Sequence, residues 1–296
     1  METFERSDLK KLFKPAEKSS GEDNGQVTII GGSKLFHGAP IFALKVASRL
    51  VDMVFFATPE PSVGRVAEHI KSKLLNFIWI DWGDVEAYIK KSEAVLIGPG
   101  FMRFGSEHEK DGDKIPDNHQ EGILTQLITK SFLTKFPDKK WVIDAGSLQV
   151  MDVAWIPEGS VITPNNKEFQ ILFAKEEKEV DLFKLNMDEK AKVAKRMAKK
   201  YKCTIVLKGP ETIIVSPDDM VEIGGGNPGL TKGGSGDVLA GLTVALLAKN
   251  EPFLAASAAS FIVKAAADEL YKKMGVNYNS DDLADQVPAT FTKLLK

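Results

Sequence analysis

The sequence predicts an α/β fold with a mostly parallel central sheet, helices on both faces and an antiparallel edge. Two patterns predict it. Short β-branched or apolar runs alternate with helix-like stretches along the chain, as expected of βαβ crossovers whose strands are buried on both faces. Later, three such runs follow one another with no helix between them, and strands spaced so closely pair antiparallel.

Val27–Ile30 (VTII) leads through Gly31, Gly32 and Ser33 into a helical run from Ile41 to Val51. Met53–Ala57 (MVFFA) leads to Pro61 and the amphipathic VGRVAEHIKSKLL. Phe77–Ile80 (FIWI) precedes DVEAYIKK, and Ala94–Gly98 (AVLIG) ends in a Pro-Gly-Phe turn. Trp141–Asp144 (WVID) and Ser160–Thr163 (SVIT) come next. A long charged helix follows, with Asn186 as N-cap and Glu189 three residues on, the pattern of a capping box. The closely spaced runs are Thr204–Lys208, Thr212–Ser216 and Met220–Ile223. Helices from Ser235, from Pro252 and from about Ser280 close the chain. The polar segment Arg103–Gln120 carries turn residues and reads as an exposed loop or insertion. Its His108 and His119 read as solvated surface, so no metal held by protein side chains is expected.

The 296 residues show no repeat, low-complexity tract or linker, and one domain spanning 1–296 is expected. A chain with 43% hydrophobic and 27% charged residues has the make-up of an ordinary soluble protein. Its 39 basic residues against 41 acidic ones argue against a general binder of nucleic acid or acidic membranes. A single cysteine, Cys203, excludes disulfides within the chain and cysteine-based zinc sites; it reads as a small apolar residue at a strand start. The first residues lack the apolar core of a signal peptide, and FLAASAASFIV is too short to span a bilayer. A cytoplasmic protein is expected.

In open α/β sheets, ligands sit outside the carboxyl ends of the strands. Unusual residues gather there: Gly31-Gly32-Ser33, Gly98-Pro99-Gly100, Asp144 and Thr163-Pro164-Asn165 each follow a strand. The strongest signal is GGGNPGLTKGGSGDVLAG, Gly224–Gly241, with eight glycines in eighteen residues. Gly233, Gly234, Ser235 and Gly236 stand at a helix N-terminus, where free N–H groups and the helix dipole favour an anion. Glycine lets that anion approach the backbone, so the run reads as a phosphate or oxyanion cradle. Asp237 lies beside it. A carboxylate there would repel a bound anion, which favours a base or orienting group for a substrate hydroxyl next to a transferred phosphate. The dipole lowers the pKa of such a group and burial raises it. Other motifs fail. Pro228 interrupts the formal G-x-G-x-x-G match, Lys232 lacks the preceding glycine of a Walker A loop, and GGSGD departs from G-x-S-x-G at its last position. No histidine follows Ser235, as an α/β-hydrolase triad would require.

GGSGDVLAG with the preceding NPGLTK resembles the C-terminal signature of the NAD(P)H-hydrate dehydratases of the ribokinase-like superfamily. GQVTIIGGS and HGAP resemble that family's opening strand and substrate loop, and VLIGPGF its second glycine turn. VIDAGSL resembles its D-A-[DG]-[AS]-L motif and VLKGPETIIVSPD its nucleotide-side hairpin. The resemblance covers nearly the whole chain and implies a ribokinase-like fold. It implies that ADP or ATP phosphorylates the C6 hydroxyl of hydrated NADH or NADPH, and that elimination of phosphate restores the dihydronicotinamide. By position, Gly236 (in the cradle with Gly234 and Ser235) and the stretch Lys208, Gly209, Pro210, Glu211, Thr212 would contact the nucleotide. Asp237 would contact the hydrate and act as base, and Ala39, Gly100 and Asn165 would line the hydrate pocket. Mg²⁺ is expected with the nucleotide, and the chain is expected to form a homo-oligomer. The epimerase domain of bifunctional relatives is not expected, because the first strand begins at Val27.

One segment departs from the family. TPNNKE stands where T-P-H-P-G-E is usual, so Asn165 replaces a histidine, and Asn165-x-x-Glu168 resembles the N-x-x-E motif of ribokinase-like kinases that organises Mg²⁺ and phosphate. A small-molecule kinase of the same superfamily is therefore the alternative. A non-catalytic nucleotide sensor is a third reading, disfavoured by Asp237, since pure binding gains nothing from a carboxylate beside phosphate.

Overall fold

The computed structural model of the protein describes residues 1–104, 117–176 and 181–296. Ten strands form one sheet: β1 (Glu2–Thr3), β2 (Gln26–Ile30), β3 (Met53–Ala57), β4 (Ile78–Trp79), β5 (Ala94–Ile97), β6 (Lys140–Ile143), β7 (Val161–Ile162), β8 (Thr204–Leu207), β9 (Thr212–Val215) and β10 (Met220–Ile223). Their order across the sheet is β1-β10-β9-β8-β7-β6-β5-β2-β3-β4. Neighbours from β8 through β4 pair parallel. β8–β9 and β9–β10 are the antiparallel edge.

Alternation along the strands sends side chains to opposite faces, and both faces are buried. Val27, Ile29, Phe56, Leu96 and Val142 join one core, covered by α1 (Gly38–Ala47), α2 (Pro61–Ile70), α8 (Ser235–Leu247), α9 (Pro252–Met274) and α10 (Ser280–Leu295). Ile30, Phe55, Val95, Trp141 and Ile143 join the other, covered by α3 (Val85–Lys91), α4 (Asp117–Lys135), α5 (Ala145–Val150), α6 (Asn166–Leu172) and α7 (Met187–Tyr201). Among the described residues, no helix is long and apolar enough to cross a membrane.

The capping box expected at Asn186 is formed: Glu189 N donates to Asn186 Oδ1 at 3.0 Å and Asn186 N to Glu189 Oε2 at 2.9 Å. α8 and α9 begin at Ser235 and Pro252, where the sequence places them. Two elements are additional. β1 pairs parallel with β10; two polar residues carry no strand pattern, and the open edge of β10 supplies the partner. Phe4, Leu9 and Leu12 then anchor this N-terminal segment in the core. α4 begins at Asp117, so the end of the expected Arg103–Gln120 loop is helix. α4 buries Ile128, Phe132 and Leu133 but exposes Ile123, Leu124 and Leu127, which blurs its helical period. His108 and the side chain of His119 lie outside the described residues.

Chain order reverses between β2 and β5, which leave in opposite directions across the sheet. The turns after these two strands meet there: Gly32 N donates to Pro99 O at 2.8 Å. A crevice at the carboxyl ends of the strands follows from this topology.

Candidate active site

In-register parallel pairing of β6, β7 and β8 brings their carboxyl ends side by side. Asp144 follows β6, Thr163 follows β7, and Lys208 follows β8 and bridges to Asn165. The buried carboxylate of Asp144 accepts hydrogen bonds from Thr163 Oγ1 at 2.7 Å and Lys208 Nζ at 2.9 Å. The turn before α5 can close over this point because Gly98, at φ +117°, lacks a Cβ: one placed there would lie 1.9 Å from Asp144 O.

Asn165 is the N-cap of α6. Its Oδ1 accepts from Glu168 N at 2.9 Å, and its own N–H donates to Glu168 Oε2 at 2.9 Å. This capping box holds Glu168 with its Oε2 at 3.6 Å from Lys208 Nζ, while Gln149 Nε2 donates to Oε1 at 3.3 Å. Lys208 thus stands between two carboxylates.

Asp237 completes the group from the first turn of α8. Its pKa is pushed up to about 7, by burial first and then by the charge of Asp144, with Lys208 opposing and Glu168 adding to the rise. Burial therefore prevails over the influences that favour the charged form. Burial also raises Glu168, against the pull of Lys208. Burial alone would lower Lys208, but Asp144 and Glu168 outweigh it and keep the ammonium charged well above the usual lysine range. The result is a fixed cation, two flanking acids and a carboxyl that exchanges its proton near neutral pH.

A cavity of about 520 Å³ opens beside this group, within the range of small-molecule sites. Lys208, Gly209, Pro210, Thr212, Ser235 and Gly236 line it. Leu230, Leu239 and Val263 give it apolar walls. Glu211 and Gly234 are absent from its lining. Gly234 has φ +95°, and a Cβ there would meet the Phe42 ring at 2.6 Å and Ser280 Cβ at 2.8 Å; its glycine answers to the turn and to packing. A Cβ on Gly236 would meet only Lys208 Nζ, at 3.4 Å.

Ala39, in the first turn of α1, is adjacent to Gly100, where a Cβ would fall 3.2 Å from that of Ala39. These two lie at the β2–β5 reversal, while Asn165 stands by Lys208 with its side-chain oxygen engaged in the cap. Sequence reasoning passed over Asp144 and Glu168 as members of one charge group. The available signals were a carboxylate directly after a strand and a capping box directly after another. It also passed over Lys264, which lies in the cavity wall from an alanine-rich helix.

The mostly parallel sheet, its antiparallel edge and a glycine-rich helix start at the cleft define a ribokinase-like α/β protein. Solved structures agree in fold: a ribokinase-like superfamily protein from Enterococcus faecalis superposes with a TM-score of 0.77 at 20% identity, covering 99% of this chain and 96% of that one. An ADP/ATP-dependent NAD(P)H-hydrate dehydratase from Bacillus subtilis, co-crystallized with ATP/Mg²⁺, does so with a TM-score of 0.73 at 22% identity, covering 99% and 98%. The family model described as NAD(P)H-hydrate dehydratase matches residues 27–289, and the chain belongs to that family. It is 34% identical over 286 residues to the bifunctional NAD(P)H-hydrate repair enzyme Nnr of Methanocaldococcus jannaschii, covering 95% of this chain and 51% of the relative. It is 30% identical over 285 residues to the ADP-dependent (S)-NAD(P)H-hydrate dehydratase of Nitrosopumilus maritimus, covering 94% and 93%. The chain thus spans about half the length of the bifunctional relatives and nearly all of the shorter one.

Proposed function

We propose that the protein repairs hydrated NADH or NADPH with ADP or ATP as phosphoryl donor. The observation that carries this reading is Asp237: a carboxyl titrating near neutrality, at a glycine-rich helix start, beside Lys208 and a nucleotide-sized cavity. In this reading the cavity holds the nucleotide through Lys208–Thr212 and the start of α8, and its last phosphoryl group lies at the N–H groups of Gly236 and its neighbours. Asp237 takes the proton of the C6 hydroxyl as the hydroxyl oxygen forms its bond to phosphorus and the bond to the leaving phosphate oxygen breaks. Lys208 offsets the charge that develops. The C6–O bond of that phosphate ester then breaks, inorganic phosphate leaves and takes up the proton lost from the neighbouring ring carbon, and the ring double bond returns. Ala39, Gly100 and Asn165 belong to the hydrate side of the site.

Mg²⁺ is part of the proposal. Asp144 and Glu168 would hold it together with nucleotide phosphates, and it would neutralise phosphoryl charge. Among the described residues no group of three or more His, Cys, Asp or Glu could hold a metal. An ion carried largely by the substrate's phosphates needs only one or two protein carboxylates. A single ten-stranded sheet supports one domain, a cytoplasmic location belongs to the reading, and exposed Ile123, Leu124 and Leu127 support self-association.

The test incubates the protein with hydrated NADH or NADPH and either nucleotide, following dihydronicotinamide absorbance and free phosphate. Recovery of both supports the reading. A second reading, a small-molecule kinase, rests on the Asn165–Glu168 capping box beside Lys208. A stable phosphorylated product with no recovered absorbance would establish it instead.

A further inference from the structure

We propose that Lys264, with Asp268 one turn further along α9, positions the walls of the nucleotide cavity and so sets nucleotide affinity; this rests on the nucleotide reading of that cavity. α9 is otherwise a core helix: Ala255, Ala258, Ala259, Ile262 and Ala266 are all buried. Lys264 is only 6% exposed in their midst. Its Nζ donates to Pro210 O at 2.6 Å and Ile223 O at 2.7 Å. Pro210 belongs to the turn after β8, and Ile223 ends β10, where the glycine loop begins. The lysine stem lies along that loop: a Cβ on Gly226 would come within 3.2 Å of Lys264 Cγ.

Asp268 holds the next stretch. Its carboxylate accepts from Gly226 N at 3.0 Å and Asn227 Nδ2 at 3.1 Å. Asn227 Oδ1 in turn accepts from Gly229 N at 3.0 Å and Tyr278 Oη at 2.7 Å. One face of one helix therefore ties together the two chain segments that flank the cavity. An ammonium is costly in such a place, and among the described residues no carboxylate oxygen lies within ion-pair distance of it. Burial lowers its pKa, against the pull of Glu211, Glu222 and Asp268. An apolar side chain of equal length would pack as well without that cost. What it would lack is the pair of bonds to Pro210 and Ile223, and a positive charge in the cavity wall.

Calorimetric titration of the full chain with ADP and with ATP tests this, together with steady-state kinetics. Lys264→Met is expected to weaken nucleotide binding and raise nucleotide KM by about tenfold, the loss of roughly one good interaction. The KM for hydrate and the kcat at saturating nucleotide should move far less, and Lys264→Arg should recover most of the affinity. Nucleotide binding equal to wild type in Lys264→Met overturns the inference. So does a parallel fall in kcat, both affinities and Tm, which is the mark of a purely structural residue. Should Lys264→Met not fold, Asp268→Asn carries the same expectation, and wild-type affinity in that variant overturns it equally. A wild type that binds neither nucleotide overturns this inference together with the reading beneath it. A wild type that binds, with variants that bind equally, overturns this one alone.

Discussion

A carboxyl group with a pKa near 7 is matched to proton transfer at neutral pH. Asp237 has that value because burial disfavours its charge and Asp144 repels it, with Lys208 limiting the rise. Turnover is expected to increase with pH through about 7 as Asp237 ionises. Asp237→Asn should keep nucleotide affinity while losing ~10²–10⁴ in kcat, the usual effect of removing a positioned base; near wild-type kcat would reduce Asp237 to a helix-start residue. Stability should respond in the opposite sense. The folded-state pKa of about 7 lies above the ~3.9 of an unfolded aspartate, so between about 4 and 7 the folded protein holds a proton the unfolded chain has lost. This contribution is complete below pH 4 and is lost as pH rises through 7. At pH 8 Asp237→Asn is therefore expected to be more stable than wild type, by at least ~1–2 kcal/mol, and urea titrations should show that difference grow from pH 5 to pH 8.

Two helix starts decide how the cleft is built. At α8, Gly234 and Gly236 occupy different surroundings and should fail differently. Gly236→Val adds methyl groups toward Lys208 and the first N–H groups, in space that holds little else. It should weaken ADP and ATP binding tenfold or more by calorimetry, with little change in Tm. Gly234→Ala places a Cβ on a residue at φ +95° and against Phe42 and Ser280, so a stability loss of ~1–3 kcal/mol is expected. At α6, Asn165 and Glu168 cap one another and in doing so present Glu168 to Lys208. Asn165→His should cost ~1 kcal/mol by loss of the cap while hydrate repair continues, measured by recovered absorbance. Repair abolished in that variant, with the wild type phosphorylating another small molecule efficiently, would favour the kinase reading.

The molecule is held by two cores, one on each face of the sheet, and the N-terminal segment belongs to the first of them. Leu9 is fully buried there, and Arg6 Nε donates to Leu294 O at 2.8 Å, fastening the segment to the end of α10. The segment packs on β10, α9 and α10, so its contribution should be to stability. Leu9→Ala is expected to lower unfolding free energy by ~2–5 kcal/mol with kcat unchanged where the variant is folded. Urea denaturation and turnover at low temperature check the two halves of that expectation.

The alternation of apolar runs, the Asn186–Glu189 cap and the three crowded strands are local patterns, and each needs only its own neighbours to form. For that reason the mostly parallel sheet, its antiparallel edge and the start of α8 were legible from the residues in order. The glycine-rich start of α8, with Asp237 in its first turn, was legible too, because its residues occupy consecutive positions. β1 was hidden: its two residues become a strand only through the free edge of β10, more than two hundred positions away. The charge group was hidden as well. Asp144, Glu168, Lys208 and Asp237 come from four separate stretches, and parallel register alone places Lys208 at 2.9 Å from Asp144. The contest between dipole and burial at Asp237 was settled in the same way, since desolvation depends on what the whole chain packs around a residue. Local sequence specified the parts and the backbone chemistry of the helix start; long-range packing chose which charges meet and at what pH they exchange a proton.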